Sequence, residues 1–98
     1  MTINRMENEH TIELALDGRL DTKTAPDLEK EIKAIDPSVT ELIMDFEKLE
    51  YISSAGLRVM LTAQKLMNKQ GKMIVKNVNE TVSEIFEVTG FVGILNIR

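Results

Sequence analysis

The chain contains no cysteine and no tryptophan. Without thiols, disulfides and thiolate chemistry are excluded, which fits a cytoplasmic protein. One Tyr and three Phe are the only other large aromatics. They offer little surface on which nucleic-acid bases could stack. The 12 Lys and Arg are outnumbered by 16 Asp and Glu, giving a net charge of −4. Phosphate-backbone binding needs clustered cations, so no direct nucleic-acid contact is expected. No apolar run is long enough to span a bilayer and no secretory signal is recognisable, so no membrane insertion is expected either. His10 is the sole histidine. It cannot form a multi-histidine metal site. Between Glu9 and Thr11 it has no glycine or arginine to help it hold a phosphate, and it reads as a solvated turn residue. No metal and no cofactor are expected.

What is present suffices for one domain. The 98 residues are 43% hydrophobic, enough for a single core. Residues 2–7 alternate weakly and Asn8-Glu9 makes a turn. Ile12, Leu14 and Leu16 then alternate with Thr11, Glu13 and Ala15, the period of a half-buried strand, which Gly18 should end. Thr24-Ala25-Pro26-Asp27 has the pattern of a capped helix start. Leu28, Ile32 and Ile35 give that helix one apolar face, and Pro37 terminates it. Leu42–Phe46 is apolar at nearly every position, as expected of a central strand covered on both faces. A second helix runs from Ser54 to Gln70, stopped by Gly71. Met73–Val75 is a strand. Asn79 caps a third helix with Val82, Ile85, Phe86 and Val88 inward, stopped by Gly90. Ile94, Leu95 and Ile97 suggest a last edge strand. The order β-β-α-β-α-β-α-β implies an α/β domain with a mixed four- to five-stranded sheet, right-handed crossovers and flanking helices.

Chemistry concentrates at Ser53-Ser54-Ala55-Gly56, where the second helix begins. One reading is structural: Ser54 caps the helix, and Ala55 and Gly56 permit close packing. The other is a regulated hydroxyl, where phosphate would add about −1.5 to −2 charges. The acids Asp21 and Asp45 invite a catalytic-pair reading, with Asp21 a turn acid and Asp45 a strand-end acid as the alternative. No nucleophile–base pair and no phosphate-cradling glycine loop accompanies them, so no enzyme is expected. On a helical wheel, Gly56, Val59, Met60, Ala63, Leu66 and Met67 share one face. Leu57 and Leu61 fall outside it, with Arg58 on another flank. They either pack on a neighbouring helix or form an apolar strip beside the serines, suited to a partner.

Gly18-Arg19-Leu20-Asp21, Asp45-Phe46 and Tyr51-Ile52-Ser53-Ser54-Ala55-Gly56-Leu57 resemble, in order and spacing, the STAS domain family. More narrowly they resemble the bacterial anti-sigma factor antagonists, over nearly all of residues 1–98. The resemblance implies that the unphosphorylated protein binds an anti-sigma factor serine kinase and frees a sigma factor. Phosphorylation at the start of the second helix would switch binding off. ATP would bind the kinase partner rather than this chain. Two positions depart from the family pattern. Ser53 stands where many relatives have Asp, and Ala55 where some carry the phosphorylated hydroxyl. Relatives that lack an acceptor at that position use the preceding serine, which points to Ser54, with Ser53 as a minor alternative. Asp21, Ser53, Ser54, Gly56, Leu57, Arg58 and Leu61 are the implied partner contacts, and the resemblance places Asp21 and Asp45 near the serine loop. Within the same fold, a STAS subunit of an ABC-type lipid-transport complex is the alternative function. The oligomeric state is not specified.

Overall fold

Alternating apolar and polar residues build an antiparallel hairpin first. Strand β1 (Thr2–Glu7) pairs with β2 (Thr11–Leu20), Ile3 opposite Leu16 and Arg5 opposite Leu14. Helix α1 (Ala25–Lys33) returns the chain so that β3 (Glu41–Ile52) lies parallel to β2. Helix α2 (Ser54–Gln70) makes the next crossover, to β4 (Lys72–Lys76), parallel to β3. Helix α3 (Glu80–Thr89) and a 3₁₀ turn (Phe91–Gly93) follow. The sheet is mixed, in the order β1-β2-β3-β4. This computed structural model describes all residues, Met1–Arg98.

One face of the sheet carries the core. Ile12, Leu14 and Leu16 of β2, Leu42, Met44 and Phe46 of β3, and Met73 and Val75 of β4 are all buried. They form one cluster with Leu28 and Ile32 of α1, Met60, Ala63 and Met67 of α2, and Val82 and Phe86 of α3. The opposite face stays partly open, with Glu13, Ala15, Ile43, Asp45 and Ile74 only half-buried. The expectation that β3 is covered on both faces is therefore corrected. Its apolar run includes Ile43 on the open side, and the burial pattern alternates.

Three boundaries also differ from expectation. Strand β2 does not stop at Gly18. That glycine, with φ +119°, sits at a register irregularity, and pairing resumes from Arg19 opposite Tyr51 to Leu20 opposite Ile52. Strand β3 likewise continues through Glu47–Glu50 to Ile52, because the bulged β2 still offers it hydrogen-bonding partners. The last edge strand shrinks to a single bridge between Val75 and Ile97, the chain before it being taken up by the 3₁₀ turn. Val88, expected inward, is 79% exposed because α3 buries only the Val82–Phe86 stripe. Gly71 stops α2 as expected, for a steric reason: a β-carbon there would run into the carbonyl of Thr40.

Phe46 is fully buried and its ring lies 6.4 Å from that of Phe86, joining β3 to α3. Phe46→Ala should cost roughly 3–5 kcal/mol, from lost transfer energy and the cavity left behind. Urea unfolding of both proteins measures it, and unchanged stability would contradict this packing.

Candidate functional site at the N-terminus of α2

The site is assembled where β2 and β3 end. The Ser53 N–H donates to the Leu20 carbonyl (2.9 Å), continuing the β2–β3 ladder to the first turn of α2. Gly56 then passes so close to β2 that a β-carbon would lie 2.8 Å from Leu20 Cγ and Ile52 Cγ1 and 3.0 Å from the Leu20 carbonyl oxygen. The glycine is required by space, since its backbone is ordinary helix.

The two serines divide the work, and not as one of the sequence readings had it. Ser53 is the N-cap: its backbone is extended and its Oγ accepts from the Gly56 N–H at 3.4 Å. Ser54 is the first helical residue and is exposed, while Ser53 is half-buried. Capping satisfies an amide otherwise left without an intrahelical partner. It therefore occupies Ser53 and leaves the Ser54 hydroxyl facing solvent.

Asp21 lies in the turn after β2. Its Oδ1 accepts from the N–H groups of Lys23 (3.0 Å) and Thr24 (3.2 Å). The Thr24 hydroxyl donates to the Arg19 carbonyl (2.7 Å) and accepts from the Asp21 N–H (2.8 Å). Thr24 thus ties the turn and does not cap α1 with its side chain, so the capping pattern expected with Asp27 does not form. Desolvation alone would raise the Asp21 pKa. The N–H groups of Thr24 and Lys23, the Thr24 hydroxyl and the charge of Arg19 outweigh it and hold the carboxyl below its ordinary 3.8.

Beside the serines, α1 and α2 bound an open groove of about 270 Å³, lined by Ala25, Pro26 and Glu29 on one side and Ala55, Arg58, Val59 and Thr62 on the other. Arg58 is exposed, one turn along from Ser54. Leu61 is half-buried, but Leu57 is only 6% exposed and Gln64 only 8%. The buried stripe of α2 is wider than the wheel suggested: of the two readings, inward packing holds for Leu57, and only Leu61 is left for an apolar strip. Gly56 is buried too, so neither it nor Leu57 offers a side chain at the surface.

Asp45 does not join this site. It stands seven residues before Ile52, about 20 Å along an extended strand, on the open face of the sheet. There it accepts from Asn77 Nδ2 and the Glu47 N–H, both at 3.0 Å. Asp21 and Asp45 are therefore no catalytic pair. His10 is exposed, its Nδ1 3.1 Å from the Ser38 carbonyl oxygen, as a turn residue should be. One pair escaped the sequence reading: Arg19 lies over the Tyr51 ring, 4.5 Å from its centroid. It closes the sheet end from which Ser53 departs. Its cross-strand register depends on the irregularity at Gly18, which sequence periodicity does not show.

With this geometry in place, comparison with known proteins is decisive for the family. A model of the STAS domain matches residues 2–98. The chain belongs to the STAS domain family. BtrV of Bordetella bronchiseptica, whose name marks it as a candidate anti-sigma factor antagonist, is 37% identical over 84 residues, covering 84% of this chain and 72% of BtrV. The anti-sigma-B factor antagonist of Bacillus subtilis is 26% identical over 98 residues, covering 99% of this chain and 90% of that protein. The anti-sigma factor antagonist SpoIIAA has been solved unphosphorylated (TM-score 0.77, 21% identity, 99% of this chain and 87% of that one). The Bacillus SpoIIAA has also been solved phosphorylated (TM-score 0.76, 22% identity, 99% and 91%). At these identities the SpoIIAA likeness concerns the fold.

Two expectations follow for this STAS domain. Gly56→Ala forces its methyl into Leu20 and Ile52, and should destabilise by about 1–3 kcal/mol as overpacking does; thermal or denaturant unfolding reads this directly. Asp21 has a depressed folded pKa, so its ionised form contributes stability that is present above the unfolded pKa and lost as pH falls through the folded one. Carboxyl NMR titration should give Asp21 a midpoint below 3.8, and a midpoint above that value would contradict the turn geometry.

Proposed function

We propose that this STAS domain is an anti-sigma factor antagonist that works by reversible binding: unphosphorylated, it binds an anti-sigma factor serine kinase and releases the sigma factor, and phosphorylation of Ser54 ends that binding. The observation that carries the proposal is the division between the two serines. Ser53 is half-buried and engaged as the cap, whereas Ser54 is exposed on the first turn of α2. The names of BtrV and of the Bacillus subtilis relative support the class of function.

The physics of the switch follows from its place. A phosphate on Ser54 would meet the free N–H groups and positive end of a 17-residue helix. No acid occupies the first turn to repel it, and Arg58 stands at the favourable i, i+4 spacing. The fold therefore tolerates the modification. Binding does not, because an interface built around a neutral hydroxyl would have to desolvate a near-dianion without a partner for it. In the unmodified form Asp21, Ser53, Ser54, Arg58 and the exposed part of Leu61 provide the contact surface. Gly56 and Leu57 hold the backbone beneath it. ATP belongs to the kinase, and this chain needs no cofactor.

The test is phosphosite mapping after incubation with the host's anti-sigma kinase and ATP, with binding measured for each variant. Ser54→Ala should abolish phosphorylation and bind the kinase constitutively. It should fold nearly as well as the parent, because the cap bond belongs to Ser53. Ser54→Asp should fold and bind weakly. Phosphate found on Ser53, or tight binding by Ser54→Asp, would reject the switch.

A further inference from the structure

Strand β1 is an edge, with a neighbour only on its β2 side. Asn8 N–H donates to the Thr11 carbonyl (2.9 Å), and the register runs from there through Glu7–Ile12 to Thr2–Asp17. In an antiparallel ladder, residues with inward and outward hydrogen-bonding groups alternate. The even residues Thr2, Asn4 and Met6 therefore face their hydrogen bonds to β2. Ile3, Arg5 and Glu7 turn their N–H and C=O groups outward, without a strand to meet them.

Natural edge strands are ordinarily blocked by proline, a bulge or a projecting charge. Residues 2–7 contain no proline, and their pairing to β2 has no register shift. The one cation, Arg5, is folded back along the helix side, donating to Glu31 and Glu7, each at 2.9 Å. On the open side of the same edge, Met6 is 61% exposed. On the helix side, Met1, Ile3, Asp27, Lys30, Glu31 and Ala34 line an open groove of about 460 Å³ between β1 and α1.

We propose that two copies of this chain join at this edge, β1 running antiparallel to β1 of the second copy with the two-fold axis at Asn4. Outward groups must face outward groups, which allows only odd residues opposite odd ones. An axis at Arg5 sets two like charges directly opposite, which is destabilising. An axis at Met6 leaves only Arg5–Glu7 in overlap. An axis at Asn4 pairs Ile3 with Arg5 of the second copy through both hydrogen bonds, twice over. It sets Thr2 beside the exposed Met6 and brings the two Asn4 amides together. Each Arg5 then stands over Ile3 of the other copy, at the mouth of the groove lined by Asp27, Lys30 and Glu31. The pairing uses the edge opposite β4 and is independent of the Ser54 proposal.

The natural chain has no cysteine, so introduced thiols report the register directly. Asn4–Asn4 is a non-hydrogen-bonded pair, with α-carbons about 4.5 Å apart, within the range a disulfide bridges. Asn4→Cys should cross-link to itself on mild oxidation. Met6→Cys should not cross-link to itself, but should cross-link when mixed with Thr2→Cys. Sedimentation equilibrium of the unaltered chain should show a reversible dimer at roughly 100 μM and above, as befits a small interface. Asn4→Asp, placing like charges on the axis, should raise the dissociation constant by about two- to fivefold. A chain that stays monomeric to about 1 mM, beyond the range of a weak specific interface, overturns the proposal. A dimer in which Met6→Cys and not Asn4→Cys self-links overturns it equally.

Discussion

The contact on which the rest depends is the one at Gly56. The first turn of α2 presses onto the ends of β2 and β3 so closely that only a hydrogen fits on that α-carbon. With the Ser53 N–H bound to the Leu20 carbonyl, this fixes where α2 starts, its direction and its depth over the sheet. Every buried residue of α2, from Leu57 to Met67, follows from that start because the helical repeat is rigid. So does the groove between α1 and α2. The same contact holds the Asp21 turn beside the serines, since Leu20 and Asp21 are consecutive.

The sheet divides the molecule's tasks by face and by end. The covered face holds the core, in which Phe46 links β3 to α3 and Met44 and Val75 lie fully buried. The open face carries charge in rows, with Lys76 near Glu13 (3.4 Å) and Lys72 near Glu41 (3.2 Å) across the strands. Such exposed pairs contribute little stability each. They do keep Ile43 and Ile74 from standing as a bare apolar patch. The carboxyl ends of the parallel strands, where the ladder stops and α2 begins, hold the serine site. In open α/β sheets the strand ends are where backbone groups become free to meet another molecule.

Sequence reasoning reached furthest where local chemistry is decisive. Helix α2 was legible from Ser54 to Gln70 because a serine cap and a glycine stop bracket an amphipathic run. The Asn79 cap of α3 was legible for the same reason, and its Oδ1 accepts from the Val82 N–H at 2.8 Å. It failed where a distant partner decides. Nothing near Gly18 announces that β3 will offer Arg19 and Leu20 a place in the ladder, so a glycine that breaks the register read as a stop. Ile94–Ile97 has the composition of a strand, but only Val75 is available beside Ile97. Leu57 read as outlying on the wheel because periodicity ranks residues by angle, whereas burial depends on what lies opposite. At the site, the motif located the serines. Which of them caps follows from the backbone, extended at Ser53 and helical from Ser54.

That last distinction explains the order of the four residues. Each helical step turns the side chain by about 100°, so consecutive positions at a helix start cannot share an environment. Ser53, outside the helix, folds its oxygen back to the Gly56 N–H. Ser54 emerges toward solvent at the positive end of the dipole. Ala55 turns toward the α1 groove and is half-buried, and Gly56 faces Leu20 in the core. A hydroxyl at position 55 would be flanked by the groove wall, and at 56 any side chain would be excluded. Of the four, only position 54 combines free access with helix N–H groups able to accept new negative charge. The fold's requirement at Gly56 therefore also decides which residue, two places earlier, is left open to solvent.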